Sequence, residues 1–152
     1  MPFAAWLLLA GLVEPNPLSI SLWAADSQIG VGPAASVTRH PVLWAFLLWA
    51  ISHIPPNGDL GALILFGGMA SFAIGGFAVL DRRASRRLGQ ERWRQLADAT
   101  SILPFAAILA GRARVKISTR FLLSLTAALG VYLWFLLQGH ALLIGPDPLA
   151  RL

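Results

Sequence analysis

The 152 residues are 57% hydrophobic and only 12% charged, where a soluble domain carries about 45–50% apolar and 25% charged residues. With a mean hydropathy of +0.67, this excludes a disordered chain, a coiled coil and an ordinary water-soluble enzyme. The lack of cysteine excludes disulfides, thiolate metal sites and iron–sulfur clusters. What remains is an all-α, multi-pass helical membrane protein. The length suits one domain over residues 1–152, with about three to four transmembrane segments of ~20 residues each and an interfacial basic helix.

Met1 to Val13 is apolar but short for a span, and no basic residue precedes it as in a signal peptide. Glu14-Pro15-Asn16-Pro17 ends it in a turn. Residues 18 to 38 read as a connection. Pro41 opens the second apolar run, at a position where its missing N–H costs nothing. Pro55-Pro56 is expected to stop that helix near His53 or Ile54, which leaves it roughly 20 Å long against a ~30 Å hydrocarbon core. Asn57-Gly58-Asp59 makes a turn. Leu60 to Leu80 carries no charge and is the clearest span. Its small residues Gly67, Ser71 and Gly75, flanked by Gly68 and Gly76, are expected to receive a neighbouring helix. Asp81 to Ser101 is charged and includes Trp93, as an interfacial helix would. Ile102 to Ala110 contains Pro104 and is too short to cross. Phe121 to Ile144 is the last long run, ended by Gly145-Pro146-Asp147-Pro148.

The positions of the charges decide what the net +5 means. Ten of the twelve basic residues fall between Asp81 and Arg120: Arg82, Arg83, Arg86, Arg87, Arg92, Arg94, Arg112, Arg114, Lys116 and Arg120. The others are Arg39 and Arg151. A basic block between two apolar runs marks a cytoplasmic loop and suits membrane lipid with anionic headgroups. It does not mark a nucleic-acid surface, because few aromatics interleave it and no recognition fold is present. With that loop inside a cell's inner membrane, the helix from Pro41 starts inside and the last helix ends outside. Met1–Val13 would then be a half-span starting outside. Either Met1–Val13 is not a span or, as we expect, helices upstream of Met1 are missing; the expected partners are a homo-oligomer or such upstream membrane helices.

Chemistry at membrane depth is carried by rare polar groups. The candidates are Arg39 and His40 at a helix entrance, His53, Asn57, Asp59, Gln138 and His140. Asp59 fits turn chemistry. His53 is the sharpest, since a neutral imidazole is a common haem-iron ligand. Trp49 and Phe46, at i−4 and i−7, lie on its face as an apolar wall for a cofactor or a hydrophobic small molecule. The rise per residue places His140 about 10 Å deeper than His53, which argues against one iron taking both. Arg39 and His40 could hold a propionate or another carboxylate, or Arg39 could reach lipid phosphate.

Thr38-Arg39-His40-Pro41 with Trp44, then Trp49, His53 and Asn57-Gly58-Asp59, resembles the core motif of the NnrU family. A second block is similar too: Asp81-Arg82-Arg83, Arg87-Leu88-Gly89, Thr100-Ser101-Ile102-Leu103-Pro104-Phe105-Ala106-Ala107-Ile108 and Gly111-Arg112. The resemblance covers roughly residues 14 to 145. It implies a small multi-pass membrane protein with a role near nitrogen-oxide respiration or redox. Through the homologous 15-cis-zeta-carotene isomerases, it implies a haem b enzyme that rotates a polyene cis double bond with no net redox change. A non-catalytic membrane subunit is the third reading. His53 falls on a family haem-ligand position, with Trp49, Asn57, Arg39 and His40 around it. Ala50 stands where the isomerase has a cysteine, and the family's other ligand histidine lies in N-terminal helices that this chain appears to lack.

Overall fold

The computed structural model describes residues 1–24, 30–115 and 117–150, so Lys116 and Arg151 of the basic set fall outside the described residues. The described chain is all helical, with no strand. Helix α1 spans Pro2–Val13 and α2 spans Pro33–Val37. The latter is a short helix inside the stretch expected to be only a connection. Helix α3 spans Pro41–Asn57, with Pro41 in its first turn.

Here the expected stop fails: Pro55 and Pro56 sit inside α3, which closes only at Gly58 with φ +64°. Two prolines in a last turn forfeit two backbone bonds. The carbonyls that lose a partner are those of Ile51 and Ser52, one turn back, while the residues after the prolines close the helix. Asn57 Nδ2 donates to the His53 carbonyl at 2.6 Å, and the left-handed Gly58 N–H reaches the Ile54 carbonyl at 3.2 Å. Asp59 then caps α4 (Leu60–Leu88), its Oδ1 accepting the Ala62 N–H at 2.8 Å.

Helix α4 is 29 residues long, about 43 Å at 1.5 Å per residue. Its last two turns therefore carry Arg82, Arg83, Arg86 and Arg87 beyond a ~30 Å hydrocarbon core. The helix expected over 81–101 is thus split. Residues up to Leu88 belong to α4, Gly89 turns the chain at φ +78°, and α5 (Gln90–Asp98) follows. After α6 (Ala106–Leu109), α7 (Thr119–Trp134) runs into a π-helical segment, Phe135–Gly139, and then α8 (His140–Leu143).

Two helices, Leu60–Leu88 and Phe121–Leu143, are long and apolar enough to cross a membrane. Only 11% of each apolar window is buried, so the rest of the chain does not cover them as it would the core helix of a soluble protein. Helix α1, at 12 residues, and α3, at 17, fall short of ~20. By length and composition, two of the expected three to four spans are found among the described residues.

Helix α1 packs on α3 and α7, and α3 packs on α4. Trp6, Leu7 and Ala10 of α1 form one core with Val37, Ala45 and Ala128. Leu47, Ala50, Ala70 and Ala73 form a second, between α3 and α4. The close approach of α4 does not use the expected stripe: nothing lies within 4 Å of a Cβ built on Gly67 or Gly75. It runs instead through Ala70, Ala73 and Gly76, where a Cβ would meet Leu43 at 3.0 Å. All these residues are small, which is what lets two backbones come together without a hydrophobic driving force.

The entrance of α3 and the inner end of α4 meet, as the loop charge requires. An alkaline phosphatase fusion after Leu152 is expected to be active and one after Arg87 inactive. Alkaline carbonate is expected to leave the protein in the membrane pellet. The reverse fusion pattern would invert the topology.

Candidate functional site

Two polar constellations lie at opposite ends of α3. The first is a buried clasp at its entrance. His40 is wholly buried, with Nε2 3.1 Å from Asp81 Oδ1 and Nδ1 3.0 Å from Ser19 Oγ. Because a carboxylate accepts, Nε2 carries the proton. Arg39 Nη1 donates to Asp81 Oδ2 at 2.6 Å, Nε to Thr100 Oγ1 at 3.0 Å and Nη2 to the Ala97 carbonyl at 2.9 Å. Its guanidinium lies 5.7 Å from the Trp93 ring centroid.

The backbone is fastened at the same place. Arg39 N–H donates to the Ser101 carbonyl at 2.7 Å. Thr38 Oγ1 and Trp44 Nε1 both donate to the Ile102 carbonyl, at 2.8 and 2.7 Å. Asn16 Nδ2 donates to the Arg39 carbonyl at 2.9 Å. Phe105 takes a left-handed φ of +65°, a strained conformation for a bulky residue, and its N–H is held by the Val37 carbonyl at 2.8 Å. The two separated motif blocks therefore bind each other. Nearby, burial pushes the Glu14 carboxyl above its ordinary value, against the pull of the Ala34 N–H, which Oε2 accepts at 2.7 Å.

The second constellation lies along a groove of about 710 Å³ with α1 between two walls, α3 on one side and α7 with α8 on the other. Its α3 wall is the stripe Val42, Phe46, Trp49 and His53, and its floor is Ala4, Ala5 and Leu8 of α1. The opposite wall carries Val131, Tyr132, Phe135, Leu136 and His140. From Val42 to His53 the groove follows α3 for about 16 Å. His53 Nδ1 lies 2.7 Å from the Trp49 carbonyl. A carbonyl only accepts, so Nδ1 is the protonated nitrogen and Nε2 keeps its lone pair. The ring is steadied by Trp49 and Phe66, with centroids 4.7 and 5.0 Å away.

His140 meets the same condition from the other wall. Its Nδ1 lies 2.6 Å from the Pro146 carbonyl and its ring 5.4 Å from Phe135, edge-on. It follows directly on the π segment, a distortion frequent at functional sites. The structure thus places His140 on the groove that His53 also lines.

Of the residues singled out from sequence, Phe46, Trp49, His53 and His140 share the groove. Asn57 stands at the end of α3 and is spent on the His53 carbonyl. Arg39 and His40 are in the clasp, about 20 Å from His53 along the helix. The sequence reading missed Asp81 as their partner. A signal for it existed: a buried arginine needs a carboxylate, and Asp81 is the acid at the inner end of the span. Among the described residues, no group of three or more His, Asp or Glu could hold a metal ion, so any iron here would rest on isolated imidazoles.

The sequence profile of the family described as NnrU protein matches residues 1–148, and the chain belongs to that family. It is 34% identical over 79 residues to a 15-cis-zeta-carotene isomerase, chloroplastic, of Zea mays, a match covering 52% of this chain and 21% of that one. It is 32% identical over 76 residues to the protein of the same description from Arabidopsis thaliana, covering 50% of this chain and 20% of that one. The match therefore spans about a fifth of the length of these curated relatives. No solved structure matches the chain significantly.

Proposed function

We propose that the protein is a multi-pass protein of an inner membrane that takes a long apolar polyene along the α1/α3/α7 groove and catalyses rotation about a cis double bond. The carrying observation is the groove itself: apolar over about 16 Å, walled by aromatic rings, and bearing an imidazole with a free Nε2. The relatives' description as carotene isomerases supports this reading at the level of the family, and it therefore takes precedence over a role in nitrogen-oxide respiration.

The residues present fit a haem b. In this reading His53 would hold its iron. The Trp49 carbonyl fixes the ring's tautomer, and Phe46, Trp49 and Phe66 exclude water from one side. When bound, a reduced haem would supply an electron-rich iron. The chain's own part is to hold the ligand extended and keep water out. Arg39 and His40 are not carried forward as propionate holders, since their donors are spent in the clasp.

The test measures haem per protein and conversion of a 15-cis polyene in detergent-purified protein. His53→Ala is expected to lose at least ten-fold in both, whereas His53→Gln should keep the helix and lose both alike. His140→Ala is the comparison, since His140 shares the groove. Full haem retention in His53→Ala would end its role as ligand. Haem binding without conversion would end the isomerase reading.

A further inference from the structure

We infer that the inner end of α4 holds the phosphate of an acidic phospholipid between Arg82, Arg83 and Arg86. These residues, with Val79 and Arg87, line a concavity of about 500 Å³. All three are exposed. A topogenic charge cluster needs only the right number of basic residues on one side of a membrane. A binding site needs them convergent and without counter-ions, and both conditions hold among the described residues.

Convergence follows from the helix. Residues 79, 82, 83 and 86 are spaced three and four apart, so they share one face. Among the described residues, the counter-ion question turns on Asp81. It is the acid beside this cluster, yet it turns the other way: both its oxygens are taken, by Arg39 Nη1 at 2.6 Å and His40 Nε2 at 3.1 Å. Among the described residues, Arg82, Arg83 and Arg86 have no side-chain hydrogen bond or ion pair. Arg87 is different. Its guanidinium donates to the Pro17 and Ala24 carbonyls, tying the loop after α1 to α4. Among the described residues, three guanidinium groups are therefore open to an anion, and a fourth is structural.

The place of the cluster names the anion's source. Leu60 to Leu80 of α4 is uncharged, and the basic turns follow it directly. At the helical rise they stand at headgroup level, with Val79 one turn toward the acyl region. A phospholipid can satisfy both halves at once, its phosphate on the arginine forks and its chains along the uncovered apolar face of α4. Free phosphate satisfies only the first. This inference rests on the reading that α4 crosses a bilayer.

The experiment uses the full chain in a neutral detergent. Thermal unfolding and native mass spectrometry follow the addition of phosphatidylglycerol, of phosphatidylcholine, or of inorganic phosphate. Phosphatidylglycerol is expected to bind and raise the melting temperature, and neither other addition to do so. Each basic residue at a headgroup surface is worth roughly five-fold in affinity, so Arg82→Gln/Arg83→Gln/Arg86→Gln should bind about a hundred-fold more weakly. Replacing the same three by lysine should retain most binding, and an unchanged melt without lipid shows that both variants fold. Equal binding of phosphatidylcholine, or unweakened binding by the glutamine variant, would overturn the site. If inorganic phosphate reproduces the shift, the site is an anion site and the lipid assignment falls. Release of the protein by alkaline carbonate would instead remove the bilayer reading on which it rests.

Discussion

Replacing Asp81 by alanine is expected to cost about 3–5 kcal/mol of stability, the range for removing one partner of a buried ion pair. Asp81 is the only acid among the described residues that binds Arg39 and His40, which it receives through separate oxygens. Without it, the guanidinium and the imidazole N–H point into a space from which water is largely excluded: Arg39 is 9% exposed and His40 0%. The loss should spread, because Arg39 also holds Thr100 and the Ala97 carbonyl and so positions the segment that carries strained Phe105. Asp81→Asn keeps the shape and one acceptor, and is expected to lose less than the alanine variant. Tryptophan fluorescence during thermal unfolding in detergent measures both. If Asp81→Ala stays within about 1 kcal/mol of the parent, the clasp does not hold the two motif blocks together.

That clasp shows where sequence reading succeeds and where it stops. The long runs from Leu60 and Phe121 were legible because twenty uncharged residues have few alternatives to a helix. That Arg39 and the basic turns of α4 share one end of the helix pair followed from the loop charge. The meeting of Thr38–His40 with Thr100–Phe105 was not legible. It depends on tertiary hydrogen bonds between segments about sixty residues apart, and no periodicity encodes those. Pro55 and Pro56 misled for a local reason, since the rule that prolines end a helix does not say by how many residues, and here the chain closes only at the left-handed Gly58. His53 was legible as a rare polar group at depth. The groove it lines was not: its second wall depends on where α7 and the π segment lie against α1, and helical rise assumes straight helices starting level. The glycine stripe was misread for a related reason. Small residues mark which faces could pack closely, and the partner's shape decides which one does.

A different glycine carries the second large effect. Gly11 of α1 crosses α3 at its entrance, where an added Cβ would lie 2.9 Å from both Pro41 Cγ and Val42 Cγ2. Real Cβ atoms do not come that near, and the proline ring has no rotamer with which to retreat. Gly11→Ala is therefore expected to destabilise despite alanine's better helix propensity, worth about 1 kcal/mol over glycine in a helix interior. Gly11→Leu should cost about 3 kcal/mol, at the upper end of overpacking penalties, because α1 must move off α3. Leu8 and Val42, beside the crossing, line the groove, so the displacement should also weaken binding of an apolar ligand there. Gly67 is the control: nothing lies within 4 Å of its added Cβ, and Gly67→Ala should be neutral or stabilising by the propensity difference alone. Thermal unfolding of the three variants, with a fluorescent polyene titrated into each, separates the effects. A Gly11→Leu protein as stable as its parent would mean that α1 does not pack on α3 at this crossing. An intact melt with lost polyene binding would place the effect in the groove alone.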